Sequence, residues 1–291
     1  MKNAIVLLVN NLFNFEAFCR NVPDSLQTMQ FIFINEDRIG DKTADINIIA
    51  DKYIKNFKII KGSVIVNKFK QDVLNVEFID KYTMGLNILV QWYLIKYLQY
   101  DKILFLDDDV IITDKVFDIF NNLHECAYLN FRLSAGALTY EANSKNELKS
   151  FLAFANIFDI DLNPNNYFDV VIKTHVNGGQ RLYCKSNFDI NMYEYYLKRF
   201  YNNTDIQYLW DKRHGPCTFY LDERFESFYA LKMNIINNDL KDYCYIEIRN
   251  INKVDKLNNY SKIKNNAVWH NATCTRKKDW INKLQTLNII K

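Results

Sequence analysis

The sequence predicts an α/β fold in which helices flank a central, mostly parallel sheet. Three short apolar runs with β-branched residues recur in the first half, at 4–10 (AIVLLVN), 31–35 (FIFIN) and 102–109 (KILFLDDD). Each run is apolar on both faces, as strands buried between two layers of helices are. Helix-like segments separate the runs, and this alternation predicts parallel strands joined by right-handed crossovers.

The clearest helix of the first half spans 79–100 and leads directly into the third strand. Apolar and aromatic side chains recur along it at spacings of three and four, at Tyr82, Leu86, Leu89, Tyr93 and Tyr97. That spacing gives a helix one apolar stripe with which to pack against a sheet. The second half also contains helical patterns, over 145–160, 187–203 and, at the end of the chain, 276–291.

Strand candidates in the second half are shorter and less regular. The segment 167–185 predicts two strands around a loop at Asn177, Gly178 and Gly179. Two glycines permit either positive φ angles or the close approach of a ligand, and a plain turn is the alternative. Short strands are also predicted within 232–239 and 243–248.

Composition excludes several classes of protein. The chain has 291 residues, 49% of them hydrophobic and 24% charged, which is typical of a globular protein with a sizeable core. A formal net charge of +3 is too small to indicate nucleic-acid binding. Six scattered cysteines without a CxxC pair predict thiols in a reducing compartment. The first apolar run is too short for a signal peptide or a membrane span, so we expect a cytoplasmic protein without a transmembrane segment.

Three consecutive carboxylates, Asp107, Asp108 and Asp109, end the third strand. Like charges this close raise each other's pKa, so either a cation or water should lie against them. Side chains alternate along a strand, which puts Asp107 and Asp109 on one face. Two carboxylates on one face suit Mg²⁺ or Mn²⁺, whose open coordination positions diphosphate oxygens can fill. The alternative is a solvated strand end or a helix cap before 113–120.

The strand YDKILFLDDDVIIT (100–113) and the helix YTMGLNILVQWYLIKYL (82–98) resemble the DxD strand of GT-A glycosyltransferases and the helix before it. The similarity is closest to the glycogenin-like and galactosyltransferase-like group. Three later segments follow in that group's order: VNGGQRLY (176–183), YLDERFESFY (220–229) and AVWHNATCTRKKDW (267–280). The resemblance implies a GT-A, Rossmann-like nucleotide-sugar transferase fold over the whole chain.

The resemblance assigns a metal site and a donor site. Asp107, Asp109 and His270 would bind Mn²⁺ or Mg²⁺, and an imidazole beside two carboxylates suits Mn²⁺. Nucleotide-sugar binding is implied for Asn10, Asn11, Lys81, Asp108, Asn177, Gly178, Gly179, Lys277 and Lys278. Within this set, Asp108 would lie near the ribose and the late lysines near the diphosphate. For most of these residues taken singly, a structural role is the alternative.

Asp222 and Glu223 are the catalytic candidates that the resemblance implies. In an inverting enzyme one carboxylate would take the proton of the acceptor hydroxyl, and in a retaining enzyme one would lie near the anomeric carbon. The family has an amide at the second position, so Glu223 departs from its pattern and leaves the stereochemistry open. A surface ion pair with Arg224 is the alternative.

The implied protein is a hexosyltransferase-like enzyme of one GT-A catalytic domain, 1–291. Residues 1–115 would form its nucleotide-sugar-binding half and 116–291 its acceptor-side half. It would move a sugar, by default from a UDP-sugar, to a hydroxyl of a glycan, protein or lipid-linked acceptor, with no nucleic-acid partner. We expect it in a bacterial cytoplasm, or in the host-cell cytoplasm if it is viral.

Two other functions use the same residues differently. FLDDDVI also fits haloacid-dehalogenase-like phosphatases, with Asp107 as nucleophile and Asp109 as acid/base. That motif usually lies on the first strand of its domain, whereas here about a hundred residues precede it. A non-catalytic glycan-binding relative is the second alternative, with its many aromatic side chains stacking on sugars.

Overall fold

The described part of the chain forms nine strands and nine α-helices. A computed structural model describes residues 2–38, 40–75, 84–98, 100–130, 145–162, 176–212, 221–235, 240–246 and 266–270, together with 285 and 291. The strands are β1 (Asn3–Val9), β2 (Gln30–Asn35), β3 (Phe57–Lys61), β4 (Lys102–Asp107), β5 (Val110–Ile112), β6 (Ala127–Asn130), β7 (Val176–Cys184), β8 (Cys244–Ile246) and β9 (Val268–His270). The helices are α1 (Leu12–Asn21), α2 (Thr43–Tyr53), α3 (Gly62–Asp72), α4 (Met84–Tyr97), α5 (Val116–Asn122), α6 (Lys145–Ile157), α7 (Ile190–Asn202), α8 (Thr204–Lys212) and α9 (Leu221–Lys232).

Six strands form the main sheet in the order β3-β2-β1-β4-β7-β6. The first four of these run parallel, and β7 lies antiparallel between β4 and β6. The chain builds outwards from β1 through β2 to β3 and then returns to the other side of β1 with β4. The order therefore reverses between β1 and β4, which makes that pair the switch point of the sheet. A second, three-stranded sheet has the order β5-β9-β8.

The core explains why the central strands read as apolar runs. Ala4 to Val9 of β1 are all buried, as are Phe31 to Asn35 of β2. On one side α1 packs against α2 and β5. On the other, α4 packs against α3, α7 and α9, and the helices of this layer meet through aromatic rings such as Phe154 and Phe228, whose centroids are 5.5 Å apart. No described helix is both long enough and apolar enough to cross a bilayer.

Most of the elements predicted from periodicity are confirmed. The three apolar runs are β1, β2 and β4, and the described part of 79–100 is α4. The patterns over 145–160 and 187–203 are α6 and α7. The predicted helix over 276–291 and residues 167–175 of the strand pair lie outside the described residues, apart from residues 285 and 291. The strand predicted within 243–248 is β8, which covers its described part.

Two predictions of local structure are wrong. Asn177, Gly178 and Gly179 lie inside β7 and not in a loop. The pairing of β6 with β7 is irregular beside them, and a glycine-containing strand end accommodates such a bulge. The segment 232–235 forms the end of α9 and the turn after it, because Met233 N–H and Ile235 N–H donate back to carbonyls of that helix.

The cysteines of the described part are structural. Cys19, Cys126, Cys184 and Cys244 are all buried. Burial raises the pKa of Cys126 to about 12 and that of Cys184 to about 11, so both are neutral thiols at physiological pH.

Gly62 allows α3 to start directly against the end of β2. The Asp37 carboxylate, just after β2, accepts hydrogen bonds from Ser63 N–H (2.8 Å) and Ser63 Oγ (2.5 Å) in the first turn of α3. A Cβ atom on Gly62 would lie 2.8 Å from Leu86 Cδ2 and 3.3 Å from the carbonyl oxygen of Asn35. Any larger residue would therefore force Leu86 to shift and would crowd the backbone at Asn35.

We expect Gly62→Ala to lower the free energy of unfolding by about 1–3 kcal/mol, because the new methyl group overpacks a site bounded by backbone. Urea denaturation with a matched Asn67→Ala control in the exposed interior of α3 measures the effect. The control should be neutral or slightly stabilising, since alanine is the better helix former. Equal stability of the two variants would contradict the steric account.

Candidate functional site

The candidate site lies where the carboxyl ends of β1 and β4 meet. In open α/β sheets a crevice forms outside the strand ends at the switch point, because the connections leave the two central strands towards opposite faces. Asn10 and Asn11 follow β1 there, and Asp107 ends β4. The structure thus brings together two groups of candidate residues that lie almost a hundred positions apart in the chain.

Asp108 connects the two strand ends. Its Oδ2 atom accepts hydrogen bonds from Asn10 N–H and Asn11 N–H, both at 2.6 Å. The side chain is only 4% exposed, and this burial raises its pKa to about 6. The charges of Asp109 and Asp107 raise the pKa further, whereas the two backbone hydrogen bonds oppose the shift. The Asp108 carboxylate therefore binds the backbone just after β1 and fixes the ends of β1 and β4 relative to each other.

The end of β1 is held from three directions. Asn11 is the N-cap of α1, and its Oδ1 atom accepts from Phe13 N–H (2.9 Å) and Asn14 N–H (3.2 Å). Lys42 Nζ donates to the carbonyl oxygen of Asn10 at 2.7 Å. Lys42 brings a positive charge to the edge of the crevice, and sequence patterns could not have identified it, because only the pairing of β1 with β2 places it there.

Asp107 and Asp109 lie on either side of the Asp108 anchor. Asp107 is partly exposed at the end of β4, and Asp109 is 7% exposed just before β5. The resemblance assigns these two neighbours of Asp108 to the metal. Their shared face stays a prediction, because Asp108 and Asp109 form a turn after β4, where the alternation of a strand does not apply.

His270 is brought to the aspartates by the second sheet. In the antiparallel pair of β5 and β9, the Cα partner of Val110 is His270. Val110 directly follows Asp109, and opposed residues of an antiparallel pair have Cα atoms about 4.5–5.5 Å apart. The backbone of His270 therefore lies beside the end of the aspartate segment, as a joint metal site requires. The His270 side chain is outside the described set, in which no group of three potential metal-binding side chains occurs.

The glycine segment is brought to the other side of the aspartates by β7. In the antiparallel pair of β4 and β7, Leu106 is the partner of Gln180. Asp107 follows Leu106 and Gly179 precedes Gln180, so the end of β7 that carries Asn177 to Gly179 lies next to Asp107. Without a Cβ atom, Gly178 and Gly179 leave the backbone open to close approach from this side.

The remaining candidates are placed less fully. Asp222 and Glu223 lie in the first turn of α9, which packs against β7 and α4. Glu223 is half-buried, and its carbonyl oxygen accepts from Ser227 Oγ at 2.7 Å. The other candidates, Lys81, Lys277 and Lys278, lie outside the described residues.

Solved glycosyltransferases superimpose on this chain to different extents. Mouse xyloside xylosyltransferase 1 superimposes with a TM-score of 0.50 at 14% sequence identity, over 93% of this chain and 97% of that one. The galactosyltransferase LgtC, solved with donor and acceptor sugar analogues, gives 0.49 at 13% identity, over 98% and 94%. Core-mannan synthase A from Aspergillus fumigatus, in a Mn/GDP form, gives 0.41 at 11% identity, over 72% and 66%.

The chain has the GT-A fold. Of these three likenesses, the one to the xylosyltransferase carries this conclusion, since it covers nearly all of both chains. The mostly parallel sheet with helices on both sides, predicted from the sequence, is thereby confirmed. No protein-family model matches the sequence, and no curated protein matches it either.

We expect Asp108→Ala to lower the free energy of unfolding by about 1–2 kcal/mol, because two backbone N–H groups in a partly buried site lose their acceptor. Asp108→Asn keeps an acceptor oxygen and should lose less. Chemical denaturation in metal-free buffer measures the free energy of unfolding of both variants. The control is Asp118→Ala, at an exposed position of α5, which should lie within about 0.5 kcal/mol of the parent. An alanine variant as stable as the control would show that Asp108 does not hold β1 to β4.

Proposed function

We propose that the protein is a metal-dependent glycosyltransferase that moves a sugar from a nucleotide-sugar to an acceptor hydroxyl. The observation that carries the proposal is the pairing of His270 with Val110, directly after Asp109, at the switch point of a GT-A sheet. This pairing supports the proposal because it joins the backbones of two segments that the resemblance assigns to one metal site, although a long stretch of chain separates His270 from the aspartates. The aspartates alone would fit many carboxylate sites.

The donor set fits a hard divalent cation. Asp107 and Asp109 offer carboxylate oxygens, and His270 offers an imidazole nitrogen, a combination suited to Mn²⁺ or Mg²⁺. When bound, such a cation would act as a Lewis acid on the donor diphosphate and offset the charge of the leaving nucleoside diphosphate. The buried, closely spaced carboxylates are also the arrangement whose repulsion a cation relieves.

Other residues of the crevice would bind the donor and orient it. Asn10 and Asn11, which follow β1 and contact Asp108 through their backbone N–H groups, would bind the nucleoside. The backbone of Gly178 and Gly179, beside Asp107, suits the sugar because nothing projects from it. Lys81, Lys277 and Lys278 would contribute positive charge for the phosphates, and this assignment rests on the resemblance alone.

On the acceptor side, we propose roles for Asp222 and Glu223. Both residues belong to the first turn of α9, the helix that packs against β7. An ionised carboxylate could take the acceptor proton or stabilise positive charge at the anomeric carbon. Which of the two applies depends on whether the enzyme inverts or retains configuration.

We further propose that 1–291 acts as one catalytic domain, with a nucleotide-sugar-binding half over 1–115 and an acceptor-side half over 116–291. A UDP-sugar is the donor that the resemblance favours, with a glycan, protein or lipid-linked hydroxyl as acceptor and the cytoplasm as the place of action. The phosphatase alternative has lost support, because its motif belongs on a first strand, whereas Asp107 ends β4 of a GT-A sheet.

A donor screen tests the proposed reaction. UDP-, GDP- and CMP-sugars are offered to the protein with Mn²⁺, with EDTA and with the Asp109→Ala variant, and binding and slow hydrolysis are measured. We expect one donor to bind and to be hydrolysed in a metal-dependent way, with about 100-fold loss in the variant, since metal stabilisation of the leaving group is worth several kcal/mol. The Asp118→Ala control should behave like the parent. Hydrolysis of a phosphate ester with Mg²⁺, and no sugar-nucleotide binding, would instead establish a phosphatase.

His270→Gln tests the third metal ligand directly. We expect the affinity for Mn²⁺, titrated as MnCl₂ and followed by electron paramagnetic resonance, to fall by at least about 10-fold, since an imidazole ligand is lost. His124→Gln is the matched control. His124 lies after α5 and near Lys102, which starts β4 at the opposite end of that strand from Asp107. Equal Mn²⁺ affinity in the two variants would remove His270 from the site.

A further inference from the structure

A buried polar network joins four elements on the acceptor side of the molecule. It consists of Gln91 on α4, Arg181 and Tyr183 on β7, Tyr193 on α7 and Glu226 on α9. Gln91, Arg181, Tyr193 and Glu226 are each fully buried. A guanidinium and a carboxylate so deep in the core are costly to desolvate, which makes their arrangement informative.

Gln91 is the centre of the network, and its partners fix the orientation of its amide. One end of the amide faces the Glu226 carboxylate and the Tyr193 hydroxyl (2.8 Å), and the other faces the Arg181 guanidinium and the Tyr183 hydroxyl (2.9 Å). A carboxylate only accepts hydrogen bonds and a guanidinium only donates them. The amide NH₂ group must therefore point at Glu226 and the amide oxygen at Arg181, so that Gln91 links the two charges.

Tyr193 closes the network on the side of α7. Its hydroxyl receives a hydrogen bond from the Gln91 NH₂ group and donates to the Glu226 carboxylate. The carbonyl oxygen of Ile88 on α4 lies 3.2 Å from the same hydroxyl. Arg181 is further supported by the ring of Phe105, 5.6 Å from the guanidinium carbon. Each charge is thus held by partners from at least two elements.

The network connects the elements that carry the proposed acceptor-side residues. Arg181 follows Gly179 by two positions on β7, and its Cα partner is Phe105, two positions before Asp107. Glu226 lies one helical turn after Asp222 and Glu223 on α9. The helix α4 directly precedes β4, the strand that ends in the aspartates. Gln91 therefore links α9 and β7 to the helix before that strand.

Stability alone does not explain such a network. Apolar side chains of similar volume can often replace a buried ion pair with no loss of stability. Apolar packing, however, lacks the directionality of hydrogen-bonded charges. Hydrogen bonds, by contrast, fix the distance and rotation of one element relative to another. Misplacement of a reacting group by about 1 Å can cost roughly 100-fold in rate, so directionality matters most near a catalytic centre.

We propose that Arg181, Gln91 and Glu226 are positioning residues, which set the first turn of α9 relative to β7 and so hold Asp222 and Glu223 against the sugar-binding end of the site. This inference rests on the proposed glycosyl transfer. It assigns no contact with substrate to the three residues. Their effect on the reaction passes through α9.

The test separates positioning from packing with two kinds of variant. Arg181→Met and Glu226→Leu, made singly, each leave one buried charge without its partner and should lower the melting temperature by roughly 10 °C. The double variant Arg181→Met/Glu226→Leu removes both charges and should recover most of that loss. The matched control is Glu194→Gln, because Glu194 accepts from Trp92 Nε1 (2.7 Å) and Lys96 in a neighbouring cluster that joins α4 to α7 and does not include α9 or β7.

Two measurements are made on the double variant. Amide hydrogen exchange of residues 225–228, whose N–H groups bond to the first carbonyls of α9, should accelerate at least about 10-fold relative to the parent, while the end of α9 is unchanged, because the start of the helix loses its anchor at Glu226. With the donor identified by the screen, kcat for donor hydrolysis should fall roughly 100-fold, while the dissociation constant for Mn²⁺ and nucleoside diphosphate stays within about 2-fold. The control should show neither change.

Parent-like exchange or parent-like kcat in the stable double variant would overturn the proposal and reduce the network to core packing. If the parent hydrolyses no nucleotide-sugar at all, the proposed reaction fails, and the exchange measurement still decides whether the network anchors α9. The two failures are therefore distinguishable.

Discussion

The double hydrogen bond between the Asp108 carboxylate and the backbone of Asn10 and Asn11 is the interaction on which the candidate site depends. It joins neighbouring strands at the one place in the main sheet where the strand order reverses. In open α/β sheets ligands bind outside the strand ends at such a switch point. The bond fixes the end of β1 relative to the end of β4 at this place.

This anchor also explains how three adjacent carboxylates are tolerated at the edge of a core. Asp108 is stabilised by backbone dipoles, which offset part of the cost of its burial and of its two charged neighbours. Asp107 is partly exposed at the end of β4, so water contributes to the stabilisation of its charge. Asp108 thus has a structural role, and the cation is proposed for Asp107 and Asp109 alone.

The sequence was sufficient for the parts of the fold that depend on local pattern. β1, β2 and β4 are apolar on both faces and α4 carries a periodic apolar stripe, so their burial could be predicted residue by residue. β3 escaped prediction because it is an edge strand whose residues are all half-buried and whose short sequence, FKIIK, includes two lysines. The glycines of β7 were misassigned to a loop because sequence gives no sign of the irregular strand partner beside them.

The sequence indicated which residues are candidates for the site, but it did not indicate how they are arranged in space. The aspartates follow from a local motif, whereas the pairing of His270 with Val110 depends on a contact between distant parts of the chain, and only a resemblance could suggest it. Lys42 and the bond from Asp108 to β1 escaped prediction for the same reason: both arise from strand pairing. The role implied for Asp108, beside a ribose, did not anticipate that its carboxylate is directed at backbone.

The Asp108 anchor and the buried Arg181–Gln91–Glu226 network act on elements that are attached to the main sheet in different ways. β4 and β7 share backbone hydrogen bonds through the register Phe105 to Arg181 and Leu106 to Gln180, so they form one rigid unit with the aspartates at its edge. A helix packed on that sheet has no such ladder and is held by side chains alone, which leaves its rotation and translation to packing. For α9 the buried Arg181–Gln91–Glu226 network supplies the directional contacts that a ladder would otherwise provide. A charged network in the core is thus expected where a helix must be placed accurately, and α9 is the helix that carries Asp222 and Glu223, the carboxylates proposed for the acceptor side.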